Sequence, residues 1–126
     1  MNHIGLLILR VVPALFMALG HGLPKLQGYS TMSASFPDPI GLGSNVSLLL
    51  TIFGELLCTA LLAMGLFTRV ASLPPLITML VAGFVIHGSD PFGKKEFALL
   101  YACVFLAVAL LGPGKWSLDY RLRHKL

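Results

Sequence analysis

Four apolar stretches, separated by short polar segments and one long one, dominate the chain. Residues 4–23 (IGLLILRVVPALFMALGHGL) hold a single charge, Arg10, and residues 46–67 (VSLLLTIFGELLCTALLAMGLF) hold only Glu55. Residues 70–87 (VASLPPLITMLVAGFVIH) and 97–112 (FALLYACVFLAVALLG) hold none. A helix needs roughly 20 apolar residues, with a range of about 17–25, to cross the hydrocarbon core of a bilayer. The first two stretches meet that length and the third lies at its lower edge. The fourth reaches it when Glu96 stands at the helix mouth. The pattern therefore predicts one domain over 1–126, an all-α integral membrane bundle of four transmembrane helices. Their expected bounds are about 4–23, 46–67, 70–87 and 96–112, with an outer loop at 24–45.

Two features qualify these helices. Pro74-Pro75 would break a helix interior but are tolerated in a first turn, so the third helix is expected to start near Ala71 or Ser72. The turn Phe67-Thr68-Arg69 then makes helices two and three an antiparallel hairpin. A cleaved signal peptide would need a basic leader and an uninterrupted apolar run. Only Met1-Asn2-His3 precede the first run, and Arg10 interrupts it, so retention as a membrane helix is expected.

Composition sharpens the class. The chain has 126 residues, of which 56% are apolar and 11% charged, against about 25% charge in an ordinary soluble domain. Its mean hydropathy is +0.86. Disorder is excluded, since it requires low hydrophobicity and high charge. A soluble bundle would need polar helix faces that this composition does not supply.

Charge then gives an orientation. With four helices, both termini and the short hairpin share one side, which holds Arg69, Lys115, Arg121, Arg123 and Lys125. The other side holds Lys25, Lys94 and Lys95. The positive-inside rule places the richer side, and so both termini, in the cytoplasm. Trp116 and Tyr120, just past the last helix, suit an interfacial aromatic belt. The basic tail accounts for most of the net charge of +4, and reads as topology and attraction to anionic membrane lipids, with no nucleic-acid partner expected. The loop at 24–45 is rich in Gly, Pro and Ser but carries Tyr29, Met32, Phe36, Ile40 and Leu42. It is either a plain surface loop or a lid lying over a cavity between the helices.

Candidate chemistry lies with polar residues inside the spans, where an ionisable group costs a few kcal/mol and faces the bundle interior. At about 1.5 Å per residue, Arg10 lies roughly 9 Å from the inner end and Glu55 roughly 18 Å. An Arg10–Glu55 pair that neutralises two costly charges is one reading. The other makes Glu55 a proton-accepting or ligand-binding carboxylate. His21 follows Arg10 by three helical turns on the same face, and Lys25 by one more turn if the helix continues through Pro24. His87 ends helix three on the same side and Glu96 opens helix four. The expected outer cluster is thus His21, Lys25, His87 and Glu96, and three uses of it stay open. Two histidines and a carboxylate suit a metal, although no ligand spacing supports one and no metal is assigned. They also suit a quinone carbonyl or a proton relay, or plain structural contacts. Cys58 and Cys103 fall at matching depth and form a candidate redox pair if helices two and four adjoin. Without a C-x-x-C, buried apolar residues are the alternative.

Several short motifs occur in a telling order: Arg10, His21-Gly22-x-x-Lys25-Leu26, Glu55, Gly65-Leu66-x-Thr68-Arg69, Glu96-x-Ala98-Leu99-Leu100 and Gly112-Pro113-Gly114-x-x-Ser117-Leu118-Asp119. In this order the chain resembles the DoxX family of small bacterial membrane proteins over nearly its whole length. The resemblance implies a four-helix inner-membrane fold and a connection with membrane-associated oxidoreductase complexes, among them thiosulfate:quinone oxidoreductase. The loop at 24–45 and the cysteines lie outside the matched pattern. Physically, Gly65 and Gly112-Pro113-Gly114 read as helix stops, and Asp119 as a partner for a nearby arginine. Arg10, His21, Lys25, Glu55 and Glu96 are less easily assigned to packing.

Three functions follow as expectations. The chain is a quinone- or amphiphile-binding subunit of a redox system, with quinone as the cofactor that fits; or a lipid or small-molecule transporter; or a structural anchor with Arg10–Glu55 as a folding device. Homo-oligomers or other redox subunits are the protein partners that fit. No nucleophile–base pair, nucleotide loop or cluster-ligating cysteine set is visible, so enzyme activity is left open.

Overall fold

In a bilayer every backbone N–H and C=O must be satisfied within the protein, which favours helices for long apolar stretches. The computed structural model describes residues 2–125 and, among them, helices without strands. Helix α1 runs Asn2–Gln27 and α2 is the short Tyr29–Met32. Helices α3 and α4 run Ser44–Met64 and Thr68–Ile86. Helix α5 runs Phe92–Leu111 and α6 Leu118–Lys125. Helices α1, α3 and α4 are long and apolar enough to cross a membrane. Helix α5, with 20 residues, is the fourth long member and carries Lys94, Lys95 and Glu96 near its start.

Each long helix packs on its neighbour in sequence, and α5 closes the ring against α1. This is the up-down arrangement that short connections produce. The core is built from Ala14, Met17, Leu62, Met79, Ala98, Tyr101 and Phe105; small residues among them let the helix backbones approach. Ile4, Phe16, Leu57, Ile77, Leu100 and Leu110 are exposed on the outer faces, as a lipid-facing surface requires.

Helix bounds differ from the sequence reading for local reasons. Helix α1 continues through Pro24, because a wide π-helical turn at Ala18–Gly22 precedes it and the following segment, Leu23–Gln27, takes the proline in its opening turn. Helix α4 begins at Thr68, so Pro74-Pro75 fall beyond its first turn. The chain slackens at Ser72, whose hydroxyl donates to Arg69 O at 2.7 Å, and the prolines open the renewed run Leu73–Val81.

The end bearing the α3–α4 hairpin is closed by charged side chains acting on helix termini. Arg10, 2% exposed, donates to Leu62 O at 2.6 Å and Ala63 O at 2.8 Å, the last turn of α3, and to Trp116 O at 2.6 Å. Gly65, at φ 73°, turns the chain out of α3 in the left-handed conformation that glycine adopts freely. Asp119 accepts from the N–H of Phe67 and of Thr68, both at 2.9 Å, and from the Thr68 hydroxyl at 2.8 Å. It thereby caps the start of α4 instead of pairing with an arginine. Arg69 donates to Ala109 O and Leu110 O at 3.4 and 3.2 Å, at the end of α5. Cations meet helix C-termini and the carboxylate meets an N-terminus, as the unpaired backbone groups and the helix dipole favour.

Burial alone pushes Asp119 up, but the N–H and hydroxyl of Thr68, the N–H of Phe67 and the charge of Arg123 outweigh it, leaving the carboxyl below its ordinary range. A depressed folded-state pKa stabilises above the unfolded value, near about 3.9, and that stabilisation disappears as pH falls through the folded value. Asp119→Ala is expected to cost about 1–2 kcal/mol at neutral pH, as loss of a cap does. Thermal unfolding in detergent should show the difference from wild type shrinking as pH is lowered below 4.

Candidate functional site

At the opposite end the 24–45 segment folds back over the bundle. Asp38 accepts from Leu42 N at 2.9 Å, Gly43 N at 2.8 Å and the Ser47 hydroxyl at 2.8 Å, which ties the loop to the first turn of α3. These bonds, that from Ser47 foremost, hold the Asp38 carboxyl below its ordinary range. A Tyr29–Asn45 hydrogen bond adds a second tie. Phe36, Pro37, Pro39 and Ile40 then cover a cavity of about 290 Å³. Leu50, Thr51, Ile77, Thr78, Val81, Ala82 and Ile86 form its walls, and Lys25, Ser47, Glu55 and His87 its polar groups. The loop is a lid in geometry.

Glu55 is 3% exposed, and its Oε2 lies 2.7 Å from Lys25 Nζ. The contact is a buried ion pair at charge-assisted distance. Helix contact explains the pairing. A Cβ at Gly22 would stand 2.7 Å from the carbonyl carbon and oxygen of Glu55, so glycine allows α1 to touch the α3 backbone there. Lys25, one turn on, then reaches the carboxylate.

This corrects the Arg10–Glu55 pair. Gly22, which is level with Glu55, lies twelve residues beyond Arg10, or roughly 18 Å along the helix. Arg10 spends its guanidinium on carbonyls at the hairpin end, and Lys25 is the partner of Glu55.

Three of the long helices carry a π-helical turn, Ala18–Gly22 in α1, Phe53–Cys58 in α3 and Ala82–Ile86 in α4, and the last two contribute Glu55, Ala82 and Ile86 to the cavity lining. The three turns contain His21 and Glu55 and lead directly into His87. Such turns are rare and concentrate at functional sites. Each extra residue rotates the downstream helix by about 100°, which reassigns faces counted from a 3.6-residue period. Thr59 donates its hydroxyl to Glu55 O at 2.6 Å, satisfying a carbonyl of the wide turn in α3.

The expected outer cluster is divided. Lys25 and His87 line the cavity with Glu55. His21 instead packs against α5, its ring 5.1 Å from Phe97 and 6.2 Å from Tyr101. Glu96 is exposed on α5 and does not line the cavity. His87 Nδ1 lies 2.8 Å from Asp90 Oδ2, and that hydrogen bond is the main cause of the lowered Asp90 pKa. Asp90 orients the ring at the cavity mouth. Sequence reasoning missed it, although the three-residue spacing in His87-Gly88-Ser89-Asp90 was a usable signal. Cys58 is buried and Cys103 exposed, both as free thiols. Helices α3 and α5 stand across the ring from each other, so the candidate redox pair is not brought together. Among the described residues no group of three or more His, Cys, Asp or Glu side chains gathers as a metal would need.

Comparison with known proteins bears on this arrangement. The sequence profile of the DoxX family matches residues 5–88, which include Arg10, Lys25, Glu55 and His87. The chain is similar to the uncharacterized membrane protein Rv3486 of Mycobacterium tuberculosis, with 34% identity over an 87-residue alignment covering 56% of this chain and 52% of that protein. It therefore spans about half the length of that relative. No solved structure gives a significant match.

Proposed function

This chain belongs to the DoxX family of membrane proteins, and we propose that its lidded cavity binds the head group of a quinone-type amphiphile, as a small subunit of a redox system in the bacterial inner membrane. The observation that carries this reading is the buried Lys25–Glu55 ion pair set in the wall of a largely apolar cavity. A quinol hydroxyl would donate to the Glu55 carboxylate, and a quinone carbonyl would accept an N–H of Lys25. A bound quinone supplies reversible two-electron chemistry. The residues bind, orient and exchange protons: His87, held by Asp90, stands between the cavity and the outer surface. A volume of about 290 Å³ is near the lower edge of small-molecule sites, roughly 300–1,000 Å³, and suits a head group better than a whole lipid. Leu50, Ile77 and Ile86 line the cavity and are also exposed on the bundle surface. That lateral mouth gives an isoprenoid tail a route into the bilayer. With both termini cytoplasmic, as the basic residues suggest, the cavity opens toward the outer leaflet.

Mass spectrometry of protein extracted in mild detergent should find co-purified quinone, and a short-tailed quinone analogue should raise Tm by several degrees at saturation. Ile77→Trp, which fills the mouth and leaves Lys25 and Glu55 untouched, should abolish both effects while the apo Tm holds. Undiminished binding in that variant would remove the cavity from the proposal. A shift with fatty acid or phospholipid but none with quinone would favour transport of another amphiphile.

A further inference from the structure

A further cavity lies at the hairpin end, about 250 Å³ in volume, and is lined by Leu7, Met64, Lys115, Trp116, Ser117, Leu118 and Arg121. Its chemistry is mixed in a specific way. Two cations, Lys115 and Arg121, stand beside an aromatic residue that is 62% exposed and an apolar wall from the ends of α1 and α3. Among the described residues neither cation has a side-chain ion pair. The backbone that presents them is fixed at several points. Arg10 donates to Trp116 O at 2.6 Å, Asp119 N donates to Gly65 O at 2.9 Å, and the Ser117 hydroxyl donates to Gly114 O at 2.7 Å.

We infer that this cavity is a binding site for the phosphate head group of an anionic phospholipid. Lys115 and Arg121 hold the phosphate oxygens, as cations placed just beyond a transmembrane helix do. Trp116 lies at head-group depth, where its amphipathic ring is favoured. Leu7, Met64 and Leu118 take the first carbons of the acyl chains. A soluble anion would leave that apolar wall unused. A zwitterionic lipid would bring an ammonium group beside Lys115 and Arg121, which repel it, in a cavity lined by no carboxylate. The site is distinct from the lidded cavity and does not depend on what binds there.

Native mass spectrometry of the full chain, with phosphatidylglycerol, phosphatidylcholine and inorganic phosphate as separate probes, tests the assignment. Wild type should retain phosphatidylglycerol in preference to phosphatidylcholine. Lys115→Gln with Arg121→Gln should weaken that retention roughly 30-fold, and each single variant about fivefold, the scale of one cation at a membrane surface. Arg123→Gln, in the same tail but outside the cavity, should leave it unchanged. An equal loss in Arg123→Gln would mean diffuse attraction and overturn the site. So would equal retention of phosphatidylcholine, or displacement of the lipid by millimolar inorganic phosphate. The single variants carry the test if the double variant does not fold.

Discussion

Arg10→Leu is expected to destabilise the protein by at least about 3 kcal/mol, since it removes three hydrogen bonds from a charged donor, each worth roughly 1.5–3 kcal/mol. The loss falls on Leu62, Ala63 and Trp116, whose carbonyls Arg10 now satisfies. It also unties the 112–119 segment from α1. Arg10→Lys should recover only part of it, because an ammonium is a point charge and cannot fork across carbonyls on two elements. Thermal or denaturant unfolding in detergent measures both. The informative control is Glu55→Leu in the same background. Groups separated by more than about 7–10 Å contribute additively, within about 0.5 kcal/mol, so the Arg10/Glu55 double-mutant cycle should close with almost no coupling. Coupling above 1 kcal/mol would return the two charges to each other.

That prediction reverses what the sequence alone suggests, and the reason is physical. The four long helices are legible because a membrane demands length and apolarity, and 4–23, 46–67, 70–87 and 97–112 display both. Gly65 and Gly112 are legible as stops because few residues tolerate the angles found there. Register is a different matter. Whether Arg10 or Lys25 faces Glu55 depends on where α3 ends, on α1 persisting beyond Pro24, and on the backbone approach at Gly22. The π turns compound this, because a 3.6-residue count cannot anticipate an inserted residue and places Arg10 and His21 on one face. Backbone carbonyls, the real partners of Arg10, carry no side-chain signature at all. The same holds for Asp119, whose partners are N–H groups 51 and 52 residues away in sequence.

Of the site, Lys25, Glu55 and His87 were recognisable as polar groups out of place in apolar helices. The covering loop was recognisable from Phe36 and Ile40 among Gly, Pro and Ser. Their assembly into one cavity was not: helix-end position draws Glu96 toward it, and His21 as well, together with the face that a 3.6-residue count gives it in common with Arg10. Depth places residues at one level of a bundle; only the rotation of each helix decides which of them meet. His21 turns toward Phe97 and Tyr101, and Glu96 turns outward.

The Lys25–Glu55 pair supports the second large prediction, which separates folding from binding. Lys25→Met strands a carboxylate whose side chain is 5% exposed, whereas Glu55→Leu strands an ammonium that is 20% exposed. Breaking a buried pair from one side costs roughly 3–5 kcal/mol. The lysine variant should reach that range. The glutamate variant should fall below it, since the longer side chain can carry its charge toward the loop-end interface. Combining the two removes both charges, and stability should return to near the wild-type value or above it, as hydrophobic replacements of whole buried pairs often do. Ligand retention should not return, because the recovered protein has lost the two charged groups, Lys25 and Glu55, that would hold the head group. Unfolding curves and quinone content measured on the same preparations give the two readouts together. A double variant that is stable and still retains quinone would show that the pair serves the fold alone; single variants no less stable than the double would show that the pair is not formed.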